Sequence, residues 1–219
     1  MRLPFTPAQF FDVFARYNAA IWPAQIMAYV LGIAALALAW RGDRRAGRLV
    51  AAVLAAFWAM AGAGYHLGFF RAINPVALPA GVLFLGEALL LLLAGVVRDG
   101  LRFRARRDAT SALGLAFAAY ALAVYPALNA AAGHAFMASP AFGVAPCPVT
   151  IFTFGMLLLA ERPVPAWLLA IPFLWSLLGV SAAIQLRVPA DYGLAVAGVL
   201  GTTVIVARDR RSRRGPAAS

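Results

Sequence analysis

The sequence predicts an all-α fold: a polytopic transmembrane bundle of about seven spans with an amphipathic interfacial helix at its N-terminus. Three observations predict it. Of the 219 residues, 63% are hydrophobic and 12% charged, with a mean hydropathy of +0.83, more apolar surface than a water-soluble domain can hide. The apolar residues fall in blocks of about 18 to 22, the length a helix needs to cross roughly 30 Å of hydrocarbon at about 1.5 Å per residue. The breaks between blocks hold the arginines, which crowd into alternate loops.

The first element opens on a helix-start signature. Thr6, Pro7 and Gln9 have the residue types of an N-cap, a first-turn proline and a capping-box glutamine, so a helix is expected over residues 6–20. Phe10, Phe11, Phe14 and Tyr17 recur at helical spacing opposite Gln9, Asp12 and Arg16. Such a helix is too polar to span, and is expected to lie at the surface, on lipid headgroups or on the outer mouth of the bundle.

Spans follow at residues 23–40, 49–70, 76–97, 111–128, 146–161, 166–185 and 191–207. The fifth is the shortest and ends in Glu161-Arg162-Pro163, so a six-crossing chain with a re-entrant segment there is the alternative. It would invert the last two spans and put the arginines of the tail outside. Residues 208–219 read as a basic disordered tail, with no second domain and no repeat. Pro4, Pro7, Gln9, Asp12 and Arg16 leave no apolar core for a signal peptide, so the mature chain is expected to begin near Met1. A single cysteine, Cys147, permits no intrachain disulfide.

All 19 basic residues are arginine. Fifteen fall on one side of the seven-span arrangement, and Arg2, Arg16, Arg71 and Arg187 on the other. By the positive-inside bias the N-terminus is outside and the C-terminus inside. This accounts for the net charge of +11 without nucleic acid. The expected partners are the lipid bilayer and anionic headgroups at the arginine-rich inner loops.

An ionisable group in hydrocarbon costs about 2.5–3.5 kcal/mol on insertion scales and therefore asks for a reason. Glu87, mid-way along the third span, is a candidate buried proton or ion site; the structural alternative is a glutamate that ties two helices together. His66, between Gly64 and Gly68, is a relay or ligand candidate or a buried hydrogen-bonding imidazole. With Asn74, Cys147 and Thr150 it makes a candidate outer-vestibule polar site. Cys147, between Pro146 and Pro148, is either a reactive thiol or a small packed hydrophobe. Cys147, His66 and the loop residue His134 are weak metal-ligand candidates. Thr150 and Thr153 share a helix face, and their hydroxyls either line a cavity or bond back to the backbone. Trp58 and Trp175 lie deep enough to wall a pocket, though packing is the commoner use of such residues. Pro172 with Ser176 marks a kink.

No lysine is present, which excludes a retinal Schiff base. Two histidines are too few for a zinc hydrolase of the ceramidase type. There is no phosphate loop and no Gly-x-Ser-x-Gly elbow. No cofactor is predicted, and enzymatic activity is the less favoured reading.

Several stretches carry a resemblance: Phe5-Thr6 with Gln9-Phe10; Arg16-Tyr17-Asn18 with Trp22-Pro23-Ala24-Gln25; Tyr65-His66 with Phe69-Phe70 and Ile73-Asn74-Pro75; Cys147 through Gly155; and Trp175-Ser176. In this order they resemble an uncharacterised family of bacterial multi-spanning membrane proteins, a domain of unknown function. The resemblance implies a bacterial cytoplasmic (inner) membrane location and no particular activity. The expected functions are a small-solute or ion transporter, proton-linked through Glu87; a membrane sensor or scaffold; and third, a metal- or thiol-dependent membrane enzyme.

Overall fold

The computed structural model describes residues 4–186 and 188–214. Arg2 and Arg187 of the arginine count, and residues 215–219 of the expected tail, lie outside them. The described residues fold into eight helices without a strand: α1 Pro7–Ile21, α2 Ala24–Arg41, α3 Arg44–Ala72, α4 Ala77–Val97, α5 Ala109–Ala131, α6 Pro146–Leu158, α7 Trp167–Leu186 and α8 Tyr192–Arg214. Six of them, α2 to α5, α7 and α8, are long and apolar enough to cross a membrane. Their outward faces carry large apolar side chains such as Met27, Ile33, Val82 and Leu177, the reverse of a water-soluble surface.

Local chemistry sets the helix ends. Thr6 and Gln9 form the expected capping box: the Gln9 amide donates to Thr6 Oγ1 at 3.3 Å, and the Thr6 amide to Gln9 Oε1 at 2.8 Å. α1 buries Phe10, Val13, Phe14 and Tyr17 against the bundle, so of its two expected seats it takes the mouth. Asn18 holds it there by donating to the Met137 and Ser139 carbonyls at 2.9 Å each. Gly42, at φ +66°, closes α2 in the left-handed region that favours glycine. Asp43 then caps α3 by accepting from the Ala46 amide at 2.8 Å. That hydrogen bond holds its carboxyl below the usual range.

Three of the long helices widen along their length, α4 over its last residues, Leu92–Val97. α3 adopts i→i+5 hydrogen bonding from Met60 to Phe69, a form that recurs at functional sites. α5 does so over Tyr120–Val124, immediately before Pro126, which has no N–H to give.

The fifth expected span differs from expectation. α6 has 13 residues and a length of about 20 Å, too short to cross alone. Residues 139–145 precede it as irregular backbone, yet they are buried. From Ser139 to Ala160 only Cys147 is other than buried. The passage runs from α1, where Val144 O accepts from Tyr17 Oη at 3.0 Å, to the opposite end, where Glu161 N donates to Arg102 O at 2.7 Å. Backbone without helical hydrogen bonds is tolerated at membrane depth only where protein surrounds it. α1, α2 and α3 supply that surround, through Asn18 and Tyr17 on the Ser139 and Val144 carbonyls, Ala28 against Gly143, and Tyr29 and Phe57 against Phe142. At the α5–α6 crossing Gly114 and Gly155 face each other so closely that a Cβ on either would come within 2.8 Å of the other's carbonyl oxygen.

A second departure lies at the C-terminus. The segment from Arg208, expected to be disordered, continues α8 as helix to Arg214. Arg208 anchors it by donating to Leu158 O at 3.0 Å, and Asp209 Oδ2 accepts from Val164 N at 2.7 Å.

Candidate functional site

A cavity of about 480 Å³ opens at the α1 end. Its roof is Phe5, Phe10 and Phe14; its walls are Tyr65 and Phe70 of α3, Ala80, Leu83 and Phe84 of α4, and Ile171, Trp175 and Leu178 of α7. Its floor is the start of α6, Pro146 and Cys147, with Asp191 at the entrance to α8. Leu83, Leu174 and Leu178 line it and are also exposed on the outer surface of the bundle, so the cavity opens sideways between α4 and α7.

The aromatic walls interlock. Phe14 stacks on Tyr65 at 4.6 Å, and Tyr65 on Phe70 at 5.2 Å. Behind the wall, His66 meets Phe84 at 4.8 Å and Trp175 at 5.0 Å, both edge to face, and Phe84 meets Trp175 at 5.0 Å. His66 is wholly buried, and neither ring nitrogen has a hydrogen-bond partner.

The floor is polar. Tyr125 Oη donates to Asp191 Oδ1 at 2.5 Å, and Tyr120 Oη donates to Ala190 O at 2.8 Å. Cys147 sits beside Asp191, Tyr125 and Trp175. A short turn, Pro189–Asp191, delivers the carboxylate to this position immediately before the first turn of α8.

The residues singled out from the sequence divide between the cavity and its surroundings. Asn74 and Cys147 line it. His66 stands one layer behind its wall. Thr150 does not reach it, since its hydroxyl donates to Pro146 O at 2.9 Å. Thr153 likewise donates to Val149 O at 2.8 Å, and accepts from Trp58 Nε1 at 2.9 Å. Glu87 is wholly buried, with neither carboxyl oxygen partnered. It lies on the face of α4 that carries Phe84, one turn further from the cavity. His134 stacks on Phe11 at 3.9 Å, on the loop side of α1. Cys147, His66 and His134 therefore do not form a ligand set, and no three His, Cys, Asp or Glu among the described residues could hold a metal ion.

Asp191 and Tyr125 were not singled out from the sequence. The rule that drew attention to Glu87, an ionisable residue within an apolar block, reaches Asp191 once it is extended to the first residue of the last one.

The opposite end holds a smaller recess of about 280 Å³ lined by ions. Glu161 Oε1 accepts from Arg106 at 2.7 Å and lies 3.7 Å from Arg104, while Arg208 pairs with Asp209 at 2.8 Å. Arg44 pairs with Asp99 at 2.8 Å nearby. The floor of the main cavity and this ionic layer lie at the two ends of α6.

A family described as a family of unknown function (DUF6064) matches residues 7–215. No curated protein and no solved structure matches the chain.

Proposed function

The chain belongs to this family of unknown function (DUF6064), and from that premise we propose that it is a multi-pass membrane carrier that takes a small, largely apolar solute into the cavity beneath α1. The sideways opening between α4 and α7 carries this reading, because a solute dissolved in the bilayer reaches such a cavity without passing through water. A volume of about 480 Å³ suits one such molecule. With the arginine-rich loops on the cytoplasmic side of a bacterial inner membrane, the cavity faces outward. The ion pairs of Arg104, Arg106 and Arg208 lie at the other end of α6, where alternating access would put the closed gate of an outward-open carrier.

Glu87 is the coupling carboxyl in a proton-linked version. Its support is burial at mid-span without a protein partner, one turn from the wall residue Phe84. The sensor or scaffold reading shares the binding step and lacks the flux.

The test is binding of N-phenyl-naphthylamine, a neutral apolar dye that brightens on leaving water, to purified protein. Leu178 lines the cavity at its opening and is half exposed, so Leu178→Trp blocks access while sparing the fold. The dye is expected to saturate on the unaltered protein and to lose at least tenfold in affinity on the variant. Equal binding by both overturns the proposal.

A further inference from the structure

We propose that the solute is a lipophilic organic cation, recognised by Asp191 within the aromatic walls of the cavity. This deepens the carrier reading and rests on it. Asp191 is the one carboxylate in the lining, and among the described lining residues there is no arginine, lysine or histidine. In a chain of net charge +11, the described lining thus carries charge of the opposite sign. Asp191 is 4% exposed, and in such a setting a single charge acts strongly because little water screens it.

Three further features point the same way. Tyr125 engages one carboxylate oxygen, Oδ1, with its hydroxyl at 2.5 Å, and the Cys147 thiol stands beside the same carboxylate, which together fix the side chain at the cavity floor. Trp175, Tyr65, Phe84, Phe70 and Phe14 surround the space with π-systems, which attract cations held near their faces. The start of α6 also gives little to an anion. A helix N-terminus binds anions through its free amides, but Pro146 and Pro148 remove two of the first three.

The chemistry selected is an ammonium or phosphonium centre carrying apolar groups, with no requirement for a hydrogen-bond donor. An anion of the same shape is repelled by Asp191 and finds no compensating cation among the described lining residues.

The experiment uses tetraphenylphosphonium and tetraphenylborate, ions of nearly the same shape and opposite charge, as competitors of N-phenyl-naphthylamine on full-length protein in detergent. On the unaltered chain, the phosphonium is expected to displace the dye at a concentration at least tenfold below that of the borate, after correction for partition into empty micelles. In Asp191→Asn, read against that variant's own dye affinity, phosphonium affinity falls about tenfold or more, and the preference for cation over anion disappears. Equal competition by the two ions on the unaltered protein overturns the proposal, and this comparison needs no folded variant. Unchanged phosphonium affinity in a dye-binding Asp191→Asn also overturns it. Failure of the dye to bind the unaltered protein would instead overturn the carrier reading beneath it.

Discussion

The hydroxyl of Tyr125 donates to Asp191 Oδ1 across 2.5 Å, joining α5 to the turn that opens α8 across 66 residues of sequence. Both side chains are buried, and the bond ends on the one carboxylate that lines the cavity. It is at once a tie between helices and the means by which the polar floor is oriented.

Removing that donor has a cost in stability. Tyr125→Phe leaves Asp191 Oδ1 desolvated and unpaired, which lowers unfolding free energy by about 1–3 kcal/mol. Thermal denaturation in detergent should show a lower midpoint than the unaltered chain; an unchanged midpoint would mean the bond contributes nothing.

The glycines of α5 and α6 set the depth of the central helix. Gly155→Ala places a methyl 2.8 Å from Gly114 O and 3.0 Å from Ala118 N, and forcing these backbones apart costs about 1–3 kcal/mol. Gly86→Ala meets only Ile171 Cδ1 at 3.9 Å and gains up to about 1 kcal/mol of helix propensity. The two variants should therefore move the midpoint in opposite directions, and a loss of stability in both would contradict the packing described.

Glu87 separates coupling from binding. With no partner for either oxygen, its replacement leaves no group stranded, so Glu87→Gln should fold and bind dye as the unaltered chain does. In liposomes with an entrapped pH dye, an imposed gradient of tetraphenylphosphonium should drive proton movement through the unaltered protein and none through the variant. Equal proton movement in both would remove Glu87 from the coupling role.

Orientation has a direct assay. In a Cys147→Ser background, Asp12→Cys on the exposed face of α1 should react with an impermeant maleimide on intact cells. Arg107→Cys, in the loop between α4 and α5, should react only after permeabilisation. The opposite pattern would invert the bundle.

The sequence made local structure legible. The Thr6 capping box, the long apolar helices and the arginine-rich ends depend on neighbours a few residues away. The start of the short helix at Pro146 was legible, but the burial of residues 139–145, expected between spans, was not, because a loop's composition does not say whether other helices will cover it. The shielding by α1, α2 and α3 that permits irregular backbone there is a tertiary property. Thr150 illustrates the same limit on a smaller scale: its position suggested a cavity, while its hydroxyl bonds to Pro146 O. Cys147 and Asn74 were legible as candidates, but Asp191 acquires its meaning from Tyr125, and nothing in the spacing of those two residues announces the contact.

The most direct test of the carrier reading is to map where an alkyl diazirine, an apolar probe that forms a carbene under light, attaches to the protein in liposomes. Phe84 is 1% exposed and together with Trp175 walls the cavity, whereas Met27 and Ile33 of α2 face outward. The account predicts label on Phe84 and Trp175 that excess N-phenyl-naphthylamine suppresses, with label on α2 unaffected by the dye. Label confined to Met27, Ile33 and similar outward residues, with none on Phe84 or Trp175, would contradict it.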